Sequence, residues 1–258
     1  MGVLSTNKCR GSLTSSSPHG LYRRMRTIDL ACKEVAVRRH GVISREQATR
    51  LGMTNKQIRR RVLGGQWLEL FPGAYFIGGT TPTWESRLCA ALACAGEGAV
   101  IAARSAAALL RLDGCRKGPV EVVTTRARTR LPFRCHRTTY LPAHHVRTKD
   151  GIRVTNGART VFDLGGVIAK APFERAATDA LRKRVASLGQ LRAVMDQLGA
   201  RGRRGTTALK DFLQMYDPRL ALTARLRGHV VPHPHEGAHA PTAAARTGLR
   251  SPRSHRAR

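Results

Sequence analysis

Acidic residues are scarce in this sequence: 16 Asp and Glu stand against 46 Lys and Arg, a formal net charge of +30 over 258 residues. That imbalance predicts attraction to a polyanion and leaves the fold open. Clustered carboxylates for metal-dependent hydrolysis are missing too. Asp163, Glu174 and Asp179 are the candidates, and each sits inside an ordinary helix pattern. The six cysteines, at 9, 32, 89, 94, 115 and 135, form no CxxC pair. A zinc site is therefore not expected, and the thiols read as reduced, buried small residues of an intracellular, cytoplasmic chain. No apolar run reaches 18 residues, so no membrane span is expected. Residues 1–27 lack the continuous apolar core of a secretory signal. They read as a disordered basic lead, with Met25 as an alternative initiator.

What is present concentrates between Ser44 and Phe76. Ser44 with Gln47, and Thr54 with Gln57, each have the spacing of a capping box. Two short helices, Ser44 to Leu51 and Thr54 to Leu63, are predicted, joined by Leu51-Gly52-Met53. Trp67 to Phe71 and Ala74 to Ile77 then flank Pro72-Gly73, the residues of a type II turn, less usual for a tight hairpin. A wing wider than two residues is one expectation from that chemistry. A preceding helix from Ile28 to His40, stopped by Gly41, completes the order of a winged helix-turn-helix over residues 28–78.

At 100° per residue Ile58 and Val62 share one side of the second of those helices, while Lys56 and Arg60 point away from it. Arg59 and Gln57 lie on the flanks. Apolar residues behind and long donors in front suit a helix laid in a major groove, and an A-form RNA groove is too narrow to admit one. Thr54, Lys56, Gln57, Arg59 and Arg60 are the candidate DNA-binding residues. The alternative is a solvated basic face on a protein that is basic everywhere. Trp67, Leu70 and Tyr75 are read as core.

After Gly78 to Pro82 the composition turns to Ala and Leu, opening a second region over 83–217. Helices are expected at Thr83 to Ala95, Ala102 to Leu112, Ala158 to Ala169, Phe173 to Lys183, Ser187 to Leu198 and Thr207 to Tyr216. Strands are expected near Pro119 to Thr125, at Gly151 to Thr155, and at Phe133 to Arg137 as a returning partner. His136, His144 and His145 read as surface or loop residues, and Asp163 as the acceptor of Arg104 or Arg159. Gly199 to Gly205 reads as a flexible basic loop. No metal and no cofactor are expected. Residues 218–258 lose all periodicity and read as a disordered basic tail.

The chain resembles the AbiEi-like antitoxin family of type IV toxin–antitoxin systems, in its actinobacterial form. The matching pieces are HGVISREQATRLGMTNKQIRRRVLGGQWLELFPGAYFIGG, IAARSAAALLRLDG, GPVEVVTT, CHRTTYLPAHHV, DGIRVTNGARTVFDLG and RGTTALKDFL, in that order over residues 28–218. The resemblance implies an α+β protein: an N-terminal winged helix-turn-helix, then a helical domain with a small β-sheet. It further implies a regulator that binds operator DNA, represses its own operon and opposes a nucleotidyltransferase-like toxin without a stable complex. Inverted-repeat operators would call for two copies. Two departures stand out. Leu68, Glu69, Leu70 and Phe71 replace the basic wing of relatives, and the tail lacks the acids of their nuclease-like domain, as a truncated or frame-shifted end would. The competing functional readings are a metal-dependent nuclease-related protein and a non-specific nucleic-acid binder.

Overall fold

The computed structural model describes residues 18–216 except 78, 80, 127–129 and 201, with backbone alone for 18–25. The basic lead, the tail and part of the turn at 126–130 therefore lie outside the described residues. The fold is mixed α+β, and the described residues up to Met215 form one compact unit. Among the described residues no helix is long and apolar enough to cross a membrane.

The N-terminal part runs α1 (Pro18–Val37), β1 (Val42–Ser44), α2 (Arg45–Arg50), α3 (Asn55–Leu63), β2 (Leu68–Phe71) and β3 (Ala74–Phe76). Both expected capping boxes form: Gln47 N–H donates to Ser44 Oγ, and Gln57 N–H to Thr54 Oγ1. Each glutamine carboxamide in turn accepts the backbone N–H of its cap residue, at 3.0 and 2.8 Å. On α1 the packed face is Cys32 and Ala36, and Val37 is exposed. Gly41, at φ 81°, turns the chain out of α1, and a Cβ there would meet the Phe76 ring at 2.5 Å.

The strands β1, β3 and β2 make an antiparallel sheet in that order. The hairpin closes over Pro72-Gly73 alone, with Phe71 opposite Ala74 and Gly73 at φ 72°. Its width is adjusted by a register shift between Glu69 and Phe71, not by a longer loop. Side chains alternate across a strand, and β1 and β3 are buried on both faces, whereas β2 is exposed at Leu68 and Glu69. Ile43 and Tyr75 face the α1–α3 core with Ile58, Met53 and Trp67. Val42, Ala74 and Phe76 face the other way, onto the next helix.

That helix is α4 (Trp84–Ala95), capped by Thr83. Its small residues, Ala90, Ala91 and Ala95, are buried, with Leu88 and Cys89 beside them. On its far side lies a five-stranded sheet, β6-β5-β4-β8-β7. The strands are β4 (Val100–Ile101), β5 (Glu121–Thr124), β6 (Arg134–Arg137), β7 (Val146–Lys149) and β8 (Ile152–Thr155). Ile101, Val122, Ile152 and Val154 share one core with α4 and the first sheet. The strand at Arg134–Arg137 does not return: it runs parallel to β5, Val123 opposite His136. A strand returning directly would be antiparallel, and β6 instead enters the sheet from the same end as β5.

Helices α5 (Ala103–Leu109), α6 (Gly157–Leu164), α7 (Lys170–Arg182), α8 (Leu188–Leu198) and α9 (Thr206–Met215) build the last layer. Their core gathers Phe162, Leu164, Phe173, Leu191, Leu209 and Phe212. Asn156-Gly157 starts α6 rather than forming a separate turn: Asn156 Oδ1 accepts the Arg159 N–H at 2.8 Å. Glycine is required there because a Cβ would stand 2.0 Å from the Val185 carbonyl oxygen.

Candidate nucleic-acid interface

The α3 helix is held from behind by one residue that periodicity left unassigned. Arg61, only 6% exposed, donates from Nε and Nη2 to the Asp29 carboxylate of α1 at 2.9 and 2.8 Å. Its Nη1 also reaches the Gln57 carbonyl oxygen. With Ile58 buried and Arg61 tied inward, Lys56, Arg59 and Arg60 face solvent. Among the described residues these three enter no ion pair, so their full charge is available to an incoming anion.

Thr54 and Gln57 stand differently. Both side chains are committed to the capping box, so what they still offer outward is the Thr54 hydroxyl proton and the Gln57 Nε2 donors. Between α3 and the hairpin runs a cleft of 560 Å³ bordered by Lys56, Arg59, Leu63, Glu69 and Arg45. Arg45 is an addition to the sequence-derived set. Register puts it there: Ser44 pairs with Ala74, so the next residue meets the hairpin turn, and Arg45 N–H donates to the Gly73 carbonyl at 2.8 Å. Its guanidinium donates to the Tyr75 hydroxyl at 2.5 Å. Burial pushes that hydroxyl above its ordinary value, with Arg45 opposing, so the tyrosine stays protonated. No helical pattern signals Arg45, because its placement depends on a pairing 30 residues away.

The acid in the hairpin is folded back on its own turn. Glu69 Oε1 accepts the Gly73 N–H at 2.8 Å, fixing the turn, while the carboxylate still borders the cleft. The face thus carries three free cations on α3, one on α2 and one acid on the hairpin. Trp67 and Tyr75 are buried, with ring centroids 5.7 Å apart.

In the second region the structure pairs Asp163 with Arg159 at 2.9 Å, while Arg104 goes to Glu121. Burial raises the Glu121 carboxyl, but hydrogen bonds from His136 and Arg104 outweigh it and hold it below the usual range. His145 is not a surface histidine: it is 1% exposed, and neither ring nitrogen meets hydrogen-bond geometry, the nearby Gln197 carboxamide oxygen lying 3.3 Å from His144 Nε2 instead. Burial pushes it down to about 4, so it folds neutral. In the unfolded chain its pKa returns to about 6.5, so only the unfolded state takes a proton between those values. Stability should therefore fall by about 1–2 kcal/mol from pH 7 to pH 5. Urea unfolding of the protein and of His145→Phe at both pH values tests this, since the variant should lose that slope. Asp163 acts with the opposite sign, its carboxyl raised by burial, and is common to both chains. Among the described residues no three His, Cys, Asp or Glu side chains form a metal-binding group, and Cys32, Cys89 and Cys115 are free thiols.

Compared with known families and with curated proteins, the chain matches no family model and no curated protein.

Proposed function

We propose that this protein is a DNA-binding transcriptional regulator of the AbiEi-like antitoxin type, in which α3 is the recognition helix of a winged helix-turn-helix. The observation that carries the reading is the division of α3. Arg61 and Ile58 are turned to the core, while Lys56, Arg59 and Arg60 stand unpaired on the outer face. Two capped helices in series, followed by a hairpin that borders the same cleft, support it. Arg59 and Arg60 suit guanine edges or phosphates, Lys56 suits phosphate, and Arg45 adds a cation on the hairpin side. The ordered sequence resemblance supplies the rest: autorepression, and opposition to a nucleotidyltransferase-like toxin.

The test is a gel shift of the full chain on duplex from upstream of its own gene against a scrambled duplex of equal length, across a salt series. Operator binding should persist at salt concentrations that release the scrambled duplex. Equal affinity for both, with a steep common salt slope, would leave binding by charge alone, for which the +30 net charge suffices.

A further inference from the structure

Behind the five-stranded sheet, away from α3, lies a cavity of 220 Å³ at the ends of β5 and β6, closed by α6 and the loop before α9. Four arginines line it: Arg137, Arg159, Arg203 and Arg204. A single carboxylate, Asp163, lines it with them, and His136 sits beside it, shared with Glu121 at 3.2 Å. Two of the arginines are fixed by groups of the chain, and only one of their hydrogen-bond partners is charged. Arg159, 2% exposed, donates from Nη1 to the Tyr140 carbonyl at 3.1 Å and from Nε to Asp163 at 2.9 Å. Arg203 donates to the Thr138 hydroxyl at 3.3 Å and lies over the Phe162 ring at 5.7 Å. The loop read from sequence as flexible and basic thus contributes two arginines to the cavity lining, Arg203 and Arg204.

Two features of this cavity lack a counterpart among the described residues. Positive charge exceeds negative, and removal from water together with repulsion by Arg159 makes the Arg203 guanidinium easier to deprotonate than usual. Asp163 Oδ2 is buried with no hydrogen-bond partner, although its neighbour Oδ1 is satisfied. A buried carboxylate oxygen without a donor has lost its water and gained nothing in return, a penalty that a hydroxyl donor would remove. Converging guanidinium forks match the oxygens of a phosphate dianion, whose charge offsets two of them where a carboxylate offsets one. The volume lies below the roughly 300–1,000 Å³ of pockets for drug-sized ligands. That suits a compact polar ester.

We propose that this cavity binds a phosphomonoester carrying a free hydroxyl, of sugar-phosphate size, with the phosphate on Arg137, Arg203 and Arg204 and the hydroxyl on Asp163 Oδ2. The site is independent of the α3 face. Such an ester occurs both as a free metabolite and as the 5′ end of a polynucleotide, and competition separates these sources.

The experiment is calorimetric titration of the full chain at fixed ionic strength with ribose 5-phosphate, inorganic phosphate and ribose. One saturable site is expected for ribose 5-phosphate, about tenfold tighter than inorganic phosphate, with none for ribose. Arg203→Gln should weaken it at least about tenfold, and Arg137→Gln, at the exposed end of β6, provides the same reading should the first variant unfold. Arg59→Ala should leave it unchanged. Displacement of the ester by a 5′-phosphorylated oligonucleotide but not its 5′-hydroxyl counterpart assigns the site to a polynucleotide end, and displacement by neither assigns it to the free ester. The proposal is overturned by absence of saturable binding at millimolar ester, by an affinity unchanged in both arginine variants, or by equal displacement with both oligonucleotides.

Discussion

Asp29→Ala is expected to lower stability by about 3 kcal/mol, although Asp29 is partly exposed and remote from any cavity. The reason is what it leaves behind. The Arg61 side chain is 7% exposed, and its two forked hydrogen bonds end on Asp29, whose side chain is 37% exposed. Without the carboxylate a guanidinium stays desolvated at the joint between α1 and α3, keeping only the Gln57 carbonyl. The reverse variant, Arg61→Met, should cost less, about 1 kcal/mol, because the remaining Asp29 can turn to water. Urea unfolding of both variants at pH 7 gives the comparison. If Asp29→Ala is the milder of the two, the joint is not held by this ion pair. A loosened joint also displaces the helix that carries Lys56, Arg59 and Arg60, so Asp29→Ala should weaken DNA binding without touching a DNA-facing residue.

The second large effect lies on the outer face. Arg59→Ala with Arg60→Ala should reduce operator affinity by about 3 kcal/mol, near 100-fold, while affinity for scrambled duplex falls less than about tenfold. Stability should stay within about 0.5 kcal/mol, since both side chains are exposed and in no ion pair among the described residues. Fluorescence anisotropy on both duplexes, with a denaturation curve for each protein, measures the three quantities. Parallel loss on both duplexes would show that the arginines hold phosphate only and that α3 reads no sequence. Arg45→Ala belongs in the same series as the hairpin-side cation.

What could be read in advance follows the range of the interactions. Caps at Ser44 and Thr54 are legible because both partners lie three residues apart, inside one helical turn. The inward stripe of α3 is legible for the same reason. Asp29 and Arg61 are 32 residues apart, and nothing in either neighbourhood marks the pair. Strand β4 escaped notice because it is two residues long, and β7 because Val146–Lys149 holds one apolar residue on a sheet edge. The direction of β6 depends on how the chain travels between strands, which residue alternation does not encode. His145 looked like a loop histidine because its burial is not marked in the local sequence, where only Tyr140 and His144 are seen to pack on its ring. The candidate recognition face was thus largely visible, apart from Arg45. The arginine-lined cavity was not, since it is assembled from β6, α6 and the loop before α9.

One more consequence follows from α4. It is packed on one side by Val42, Ala74 and Phe76 and on the other by Ile101, Val122 and Val154, so it belongs to two layers at once. A helix with a solvent side can absorb a larger residue by turning it outward, and Ala90 and Ala91 have no such outlet. Enlarging either pushes one sheet or the other, and both sheets must shift together to make room. In mutational terms this short alanine run is tightly constrained: drift is open to the exposed cationic surface and closed to some of the smallest, least conspicuous residues.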